Sequence, residues 1–292
     1  MSTKQTSNRH QGAVLRDLVS QVTVMCPGAW TGLVAAAIAK IGFTSCYISG
    51  GATANASGYP DIGLITLTEM CRTIREVANA SRLPVVVDAD TGYGELESVA
   101  RTIVEYDRNG AAAMHIEDQE FPKRCGHLEG KTLVSQSDMV EKVKTASENR
   151  VNEEFVLIAR TDARGVEGME AAIDRGMAYR DAGADMIFPE GLQSEDEFAT
   201  FAKECPGLLL ANMTEFGKTP HITAGTFGSL GYGLVIYPVT MQRVAMGAVT
   251  RSLAQLHSEG TAQGFEEKMQ TRQELYELLN YVPGTTWRFQ SK

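Results

Sequence analysis

Asp88 and Asp90 stand two residues apart at the end of one apolar run. Glu117 ends the next such run, and Asp61 lies in the loop before them. Residues two apart on an extended chain face the same side, so Asp88 and Asp90 can point at one ion. Four converging carboxylates would repel one another and raise their pKa values, a penalty that a divalent cation removes. All-oxygen ligands select a hard ion, Mg²⁺ or Mn²⁺, over zinc. Mg²⁺ keeps several waters, so one or two carboxylates suffice as direct ligands. The plain alternative is that these acids cap the helix that starts near Glu95. A second constellation is Lys123-Arg124-Cys125-Gly126-His127. A thiol among basic neighbours is expected to have a lowered pKa, and such a cysteine acts as a nucleophile or as an acid–base group. No further Cys or His lies at zinc-ligand spacing from Cys125 and His127. Arg160, Arg243 and Arg272 are each able to grip a carboxylate by two parallel hydrogen bonds, and Asn212 and Thr214 add polar contacts. Together these parts suit a small polycarboxylate, with the ion polarising a 2-oxo or 2-hydroxy acid and a C–C bond made or broken beside it.

Positioning these groups falls to a strand–helix alternation repeated eight times. The expected strands are Val22–Cys26, Cys46–Ser49, Pro84–Ala89, Ala112–Glu117, Phe155–Arg160, Asp185–Pro189, Leu208–Asn212 and Leu234–Tyr237. They are short and mostly apolar, as strands buried on both faces read. Helices are expected over Leu67–Ala80, Leu96–Asn109, Ser137–Glu148, Val166–Ala182 and Ser194–Lys203. Met241–Glu259 and Gln263–Asn280 make one helix more than a barrel needs. The pattern predicts an α/β class chain: one (β/α)8 barrel over residues 1–292, with a C-terminal helical extension from about residue 240. In such a barrel, chemistry sits at the C-terminal strand ends. There the sequence places Tyr47, Ser49, Gly50 and Gly51, then Asp88 and Asp90, Glu117, Arg160, Glu190, Asn212 and Thr214.

Composition narrows the function class. The 292 residues carry 27 Lys+Arg against 36 Asp+Glu, a net charge of −9. A net acidic chain without a basic cluster argues against nucleic acid and anionic membranes. Five cysteines, an odd number, fit a reducing compartment better than a disulfide framework. A cytoplasmic enzyme is expected, or a mitochondrial one if the source is eukaryotic.

Eight segments make the chain resemble the isocitrate lyase and phosphoenolpyruvate mutase superfamily, within it the methylisocitrate lyase branch. They are Ser49-Gly50-Gly51, Asp88 to Gly94, His115 to Gln119, Lys123 to His127, Ala159 to Ala163, Phe188 to Glu190, Asn212 to Gly217 and Met269 to Arg272. The Lys-Arg-Cys-Gly-His loop is the most specific: isocitrate lyases carry Lys in its second position, and mutases and phosphonopyruvate hydrolases lack the cysteine loop. The resemblance implies a Mg²⁺-dependent C–C lyase that cleaves 2-methylisocitrate to pyruvate and succinate, a step of propionate breakdown. The sister activities, 2,3-dimethylmalate lyase and oxaloacetate hydrolase, share these motifs. It further implies a homotetramer in which a C-terminal helix is exchanged between subunits. Carried over residue by residue, Ser49, Gly50 and Gly51 bind pyruvate, and Asp88 and Asp90 hold Mg²⁺ with Asp61 and Glu117 behind them. Cys125 protonates the succinate fragment, while Lys123, Arg124, Gly126 and His127 close over the substrate with it. Arg160, Glu190, Asn212, Thr214, Arg243 and Arg272 bind substrate, Tyr47 is the base, and Phe188 and Ile236 line a pocket for the extra methyl group. Two departures touch the substrate end: the loop Ala52–Gly58 is one residue shorter than in the enterobacterial type, and Ile236 replaces the usual Leu.

Overall fold

The computed structural model describes residues 9–287. Its strands are β1 (Val24–Pro27), β2 (Cys46–Ile48), β3 (Val85–Asp88), β4 (Ala113–Glu117), β5 (Val156–Thr161), β6 (Met186–Pro189), β7 (Leu208–Asn212) and β8 (Leu234–Tyr237). All pair in parallel, in the order β1-β8-β7-β6-β5-β4-β3-β2. The two ends of that order meet through one isolated bridge, Gly28 with Tyr47, where the Ala29 N–H donates to Tyr47 O at 2.7 Å. The expected barrel is therefore present, closed by a single joint.

Strand alternation explains how the barrel is filled. Val86, Ile158, Met186, Leu210, Leu234 and Ile236 pack on one another in the interior. Their chain neighbours Val85, Val87, Leu157, Ala159, Ile187 and Val235 pack outward against the helices. The same inward parity, followed to the strand ends, carries Asp88, His115, Glu117, Arg160, Phe188, Glu190 and Asn212 to the barrel mouth.

The outer helices follow their apolar stripes. α4 (Leu67–Ser81) begins at a capping box in which Thr66 and Glu69 satisfy each other's backbone N–H, and it buries Met70, Ile74 and Val77. α5 (Leu96–Arg108), α6 (Gln136–Glu148), α7 (Met169–Asp181) and α8 (Glu195–Glu204) lie within a few residues of the expected spans. Four helices go beyond the sequence expectations. α1 (Gln11–Gln21) closes the bottom of the barrel, laying Leu15, Leu18 and Val19 on the inner cluster. α2 (Gly32–Ile41) is nearly all apolar and so shows no amphipathic period. α3 (Gly50–Ala56) occupies most of the expected loop Ala52–Gly58, and α9 (Ala224–Ser229) is only six residues long.

At the C-terminus α10 (Thr240–Glu259) matches its expected span, but Gln242 is its only buried residue. Val244, Val249 and Leu253 are left exposed. The second expected helix, Gln263–Asn280, is broken into a 3-10 segment (Gln263–Lys268) and α11 (Arg272–Leu278). Thr271 breaks it by taking extended backbone geometry and forming a capping box with Glu274. Among the described residues, no helix is long and apolar enough to cross a membrane.

Candidate active site

A cavity of about 170 Å³ opens at the C-terminal ends of the strands. Its walls include Tyr47, Ser49, Gly51, Asp61, Asp88, Arg160, Phe188, Glu190, Asn212, Thr214, Ile236 and Arg243. Lys123, Arg124, Cys125, Gly126 and His127 close it from above. Three sequence-derived candidates, Gly50, Asp90 and Glu117, stand behind this wall. Gly50 presses on Asp88 and Asp90, and Glu117 is buried beside Arg160. Arg272 does not line the cavity; it begins the short helix α11. Asn55, Pro238 and Val239 line it without having been expected.

Two glycines explain how the acids approach the strand-end backbone. A Cβ on Gly50 would stand 3.0 Å from both Asp88 Oδ2 and Asp90 Oδ1, and one on Gly51 would stand 2.9 Å from Asp61 Oδ2. Any side chain there would push the carboxylates away. The Gly50 N–H donates to Asp88 Oδ2 at 2.9 Å, and the Asp90 N–H donates to Asp88 Oδ1 at 3.0 Å. Asp90 pays for this turn with φ = 47°, in the left-handed region that Asp tolerates better than most residues.

The four acids are divided between different cationic partners. Among the described residues, no three His, Cys, Asp or Glu side chains are gathered as a ready ligand set. Lys123 accounts for part of this: its ammonium pairs with Asp61 and stands 2.8 Å from Asp90 Oδ1. Glu117 instead pairs with Arg160 at 3.2 Å. The donor chemistry still suits a hard cation: the groups are carboxylate oxygens, and Glu117 Oε1 is buried with no hydrogen-bond partner.

Electrostatics divide these carboxyls. Burial would raise Asp88, but His115, Lys123 and Arg160 hold it below its ordinary value. Burial and the Asp88 charge push Asp90 up to about 6. Burial also pushes Glu117 well up, despite Arg160 and Lys123. Glu190 is held low: burial opposes ionisation, but Arg160, His127 and Asn212 outweigh it. Burial would lower Lys123, yet Asp90 and Glu117 keep it firmly charged.

The cysteine loop is seated on the barrel. A Cβ on Gly126 would collide with Arg160 Nη2 and Glu190 Cγ, both at 2.4 Å, so only glycine allows the loop to sit this low. His127 Nδ1 accepts the Lys218 N–H at 3.0 Å, which leaves Nε2 as the protonated nitrogen, 3.1 Å from Glu190 Oε1. The expectation of a lowered Cys125 pKa is overturned. Burial raises the thiol, Asp61 and Glu190 raise it further, and the backbone N–H of His127 and Arg160 only partly oppose them. Its basic neighbours in sequence are turned elsewhere: Lys123 pairs with Asp61 and Asp90, and the Arg124 guanidinium donates to the Glu129 backbone carbonyl at 3.3 Å. Cys125 is thus a protonated thiol near neutrality, suited to giving a proton.

On the floor, the Tyr47 hydroxyl lies 2.7 Å from His115 Nε2. Burial lowers His115 to about 4 and keeps it neutral, and burial raises the Tyr47 phenol well above its ordinary value. Phe188 packs edge-on to His115 and lies under Arg160, whose guanidinium carbon is 5.2 Å from the ring centre. Asp162, one of the groups not singled out in the sequence, orients Arg160 through contacts of 2.9 and 3.1 Å to Nε and Nη2. At the outer edge, Arg243 donates to Thr214 Oγ1 at 3.3 Å and to Glu215 O at 2.6 Å.

Known proteins resemble this chain over most of its length. A probable 2-methylisocitrate lyase of Corynebacterium glutamicum is 51% identical, covering 87% of this chain and 84% of that protein. A 2-methylisocitrate lyase of Aeropyrum pernix is 46% identical, covering 92% and 87%. A crystal structure of 2,3-dimethylmalate lyase, described as a PEP mutase/isocitrate lyase superfamily member, superposes with a TM-score of 0.87 at 36% identity, covering 92% and 91%. The family model for phosphoenolpyruvate phosphomutase matches residues 15–257, which contain every residue of the cavity wall. The chain belongs to the phosphoenolpyruvate phosphomutase family.

Proposed function

We propose that this chain is a lyase that cleaves 2-methylisocitrate to pyruvate and succinate. The observation that carries the reading is the protonated Cys125 thiol, held by a seated loop over a cavity that pairs carboxylate-binding groups with an apolar floor. The 51% and 46% identities to methylisocitrate lyases favour this substrate over 2,3-dimethylmalate, a lyase for which from Eubacterium barkeri shares 40%.

In the proposed reaction the 2-hydroxyl loses its proton and the oxygen becomes the pyruvate carbonyl. The adjacent C–C bond breaks and leaves its electron pair on the succinate fragment. Cys125 gives that fragment its proton and becomes a thiolate, which solvent reprotonates once the products leave. Tyr47 takes the hydroxyl proton while passing its own to neutral His115, a relay consistent with their 2.7 Å contact. Ser49, Gly50 and Gly51 hold the pyruvate end. Arg160, Asn212, Thr214 and Arg243 bind the remaining carboxylates, Glu190 holds Arg160 and His127 in place against the substrate, and Phe188 and Ile236 lie beneath the methyl group. Asp88 and Asp90, backed by Asp61 and Glu117, would hold Mg²⁺ or Mn²⁺; when bound, the ion supplies a Lewis acid for the 2-hydroxy acid. The exposed apolar face of α10 supports a homotetramer with exchanged C-terminal helices, an arrangement that would let Arg272 serve a neighbouring subunit.

The test is product analysis on 2-methylisocitrate, isocitrate, 2,3-dimethylmalate and oxaloacetate, each with Mg²⁺ and with EDTA. The expected result is EDTA-sensitive pyruvate and succinate from 2-methylisocitrate, at a kcat/KM well above the other three. Turnover confined to 2,3-dimethylmalate or oxaloacetate would overturn the substrate and keep the barrel.

A further inference from the structure

Lys131 lies in the returning arm of the cysteine loop, two residues before the stem that closes it. At that stem Gln119 and Leu133 form an antiparallel bridge, and the Glu120 N–H donates to Thr132 O at 2.8 Å. The Lys131 side chain is 3% exposed, although the residue as a whole is only half-buried. Its ammonium donates to Gly126 O, next to Cys125, and to Asp162 Oδ1 at 2.7 Å. Asp162 is in turn the carboxylate that grips Arg160 through Nε and Nη2. Asp162 is itself anchored, since its N–H donates to Asp118 Oδ1 at 2.9 Å. Lys131 thus joins Asp162, just after β5, with Gly126 in the cysteine loop.

We propose that Lys131 is a positioning residue: its ammonium latches the cysteine loop onto the barrel by joining Gly126 O to Asp162, tying the seating of Cys125 to the orientation of Arg160. A buried ammonium needs its acceptors, and Gly126 O is one it gains only when the loop is down. The carboxylate that holds the latch also aims Arg160 at the cavity, so a substrate that draws on Arg160 is linked to the loop through a shared partner. The role of Cys125 rests on the lyase reading above; the latch itself does not.

The experiment is the rate of Cys125 alkylation by iodoacetamide in the full chain without substrate, read by peptide mass spectrometry. The other four cysteines are buried, so the label reports loop opening. Lys131→Met is expected to label at least about tenfold faster than wild type, the worth of one charge-assisted hydrogen bond. It should also lower kcat more than it raises KM. Lys131→Arg, which retains donors for both acceptors, is expected to restore most of the protection. Equal labelling of wild type and Lys131→Met would overturn the latch, as would Lys131→Arg labelling as fast as Lys131→Met. If Lys131→Met fails to fold, Lys131→Gln decides: faster labelling supports the latch, and a wild-type rate overturns it. Labelling requires no turnover, so a wrong substrate assignment leaves this comparison intact.

Discussion

The two ends of the barrel are built from the same eight strands by opposite means. The bottom is stoppered by α1, whose Leu15, Leu18 and Val19 merge with the interior cluster. There the Arg16 guanidinium donates to Glu154 O and Phe155 O ahead of β5 and pairs with Asp185 at 3.0 Å at the barrel's edge. The mouth carries buried charge into the barrel itself, on Asp88, Lys123, Arg160 and Glu190. As the bottom leaves Asp107 Oδ2 and Arg150 Nε without a hydrogen-bond partner, the mouth leaves Glu117 Oε1 and Asn212 Oδ1. Such groups cost stability wherever they are buried unpaired. The left-handed Asp90 adds backbone strain at the same end. One end is built around an apolar stopper, and the other around buried charge.

That contrast can be broken at either end. The largest effect is expected at the mouth. Cys125→Ser should lower kcat by at least ~10², the usual weight of an acid–base group, while leaving the melting temperature within a few degrees. Near wild-type turnover would remove Cys125 from proton transfer. At the bottom, Leu15→Ala should cost about 2–5 kcal/mol, on the order of 10 °C in melting temperature, with kcat per folded molecule intact. A large loss of kcat at unchanged melting temperature would mean that the stopper shapes the site. The smallest effect sharpens the electrostatics. Because burial raises the Cys125 thiol, its alkylation should accelerate with pH only above the ordinary thiol range. An inflection near neutrality would reinstate the thiolate that the bare sequence suggests.

The mouth was more legible in the sequence than the bottom. Strand ends could be read because buried parallel strands are unbroken apolar runs, and the first polar residue after each, such as Glu117, Arg160 or Glu190, marks the rim. The barrel class followed from the same runs. α1 was missed because its segment Gln11–Gln21 mixes polar and apolar residues and follows a polar start. α3 was missed because it opens on Gly50-Gly51, which reads as a loop until the pressing carboxylates supply the reason for both glycines. The Cys125 environment was misread for a different reason. Sequence neighbours are not spatial partners: Lys123 turns to Asp61 and Asp90, and the Arg124 guanidinium to the Glu129 carbonyl. Lys131, His115 and Asp162 carried no signal of their own; only the folded loop and strand parity connect them to the site.

The joint between β1 and β2 gives the barrel a compliance that a fully laddered ring would lack. Every other strand pair shares at least two registered residue pairs, whereas this one rests on Gly28 and Tyr47. Any outward stretch imposed from the mouth, for example by a bulkier guest on the floor, is absorbed first at this seam. Tyr47 sits on the seam through its backbone and reaches His115 through its hydroxyl. The hydroxyl–imidazole pair on the floor thus hangs from a strand that is laddered to β3 on one side and held on the other by one bridge.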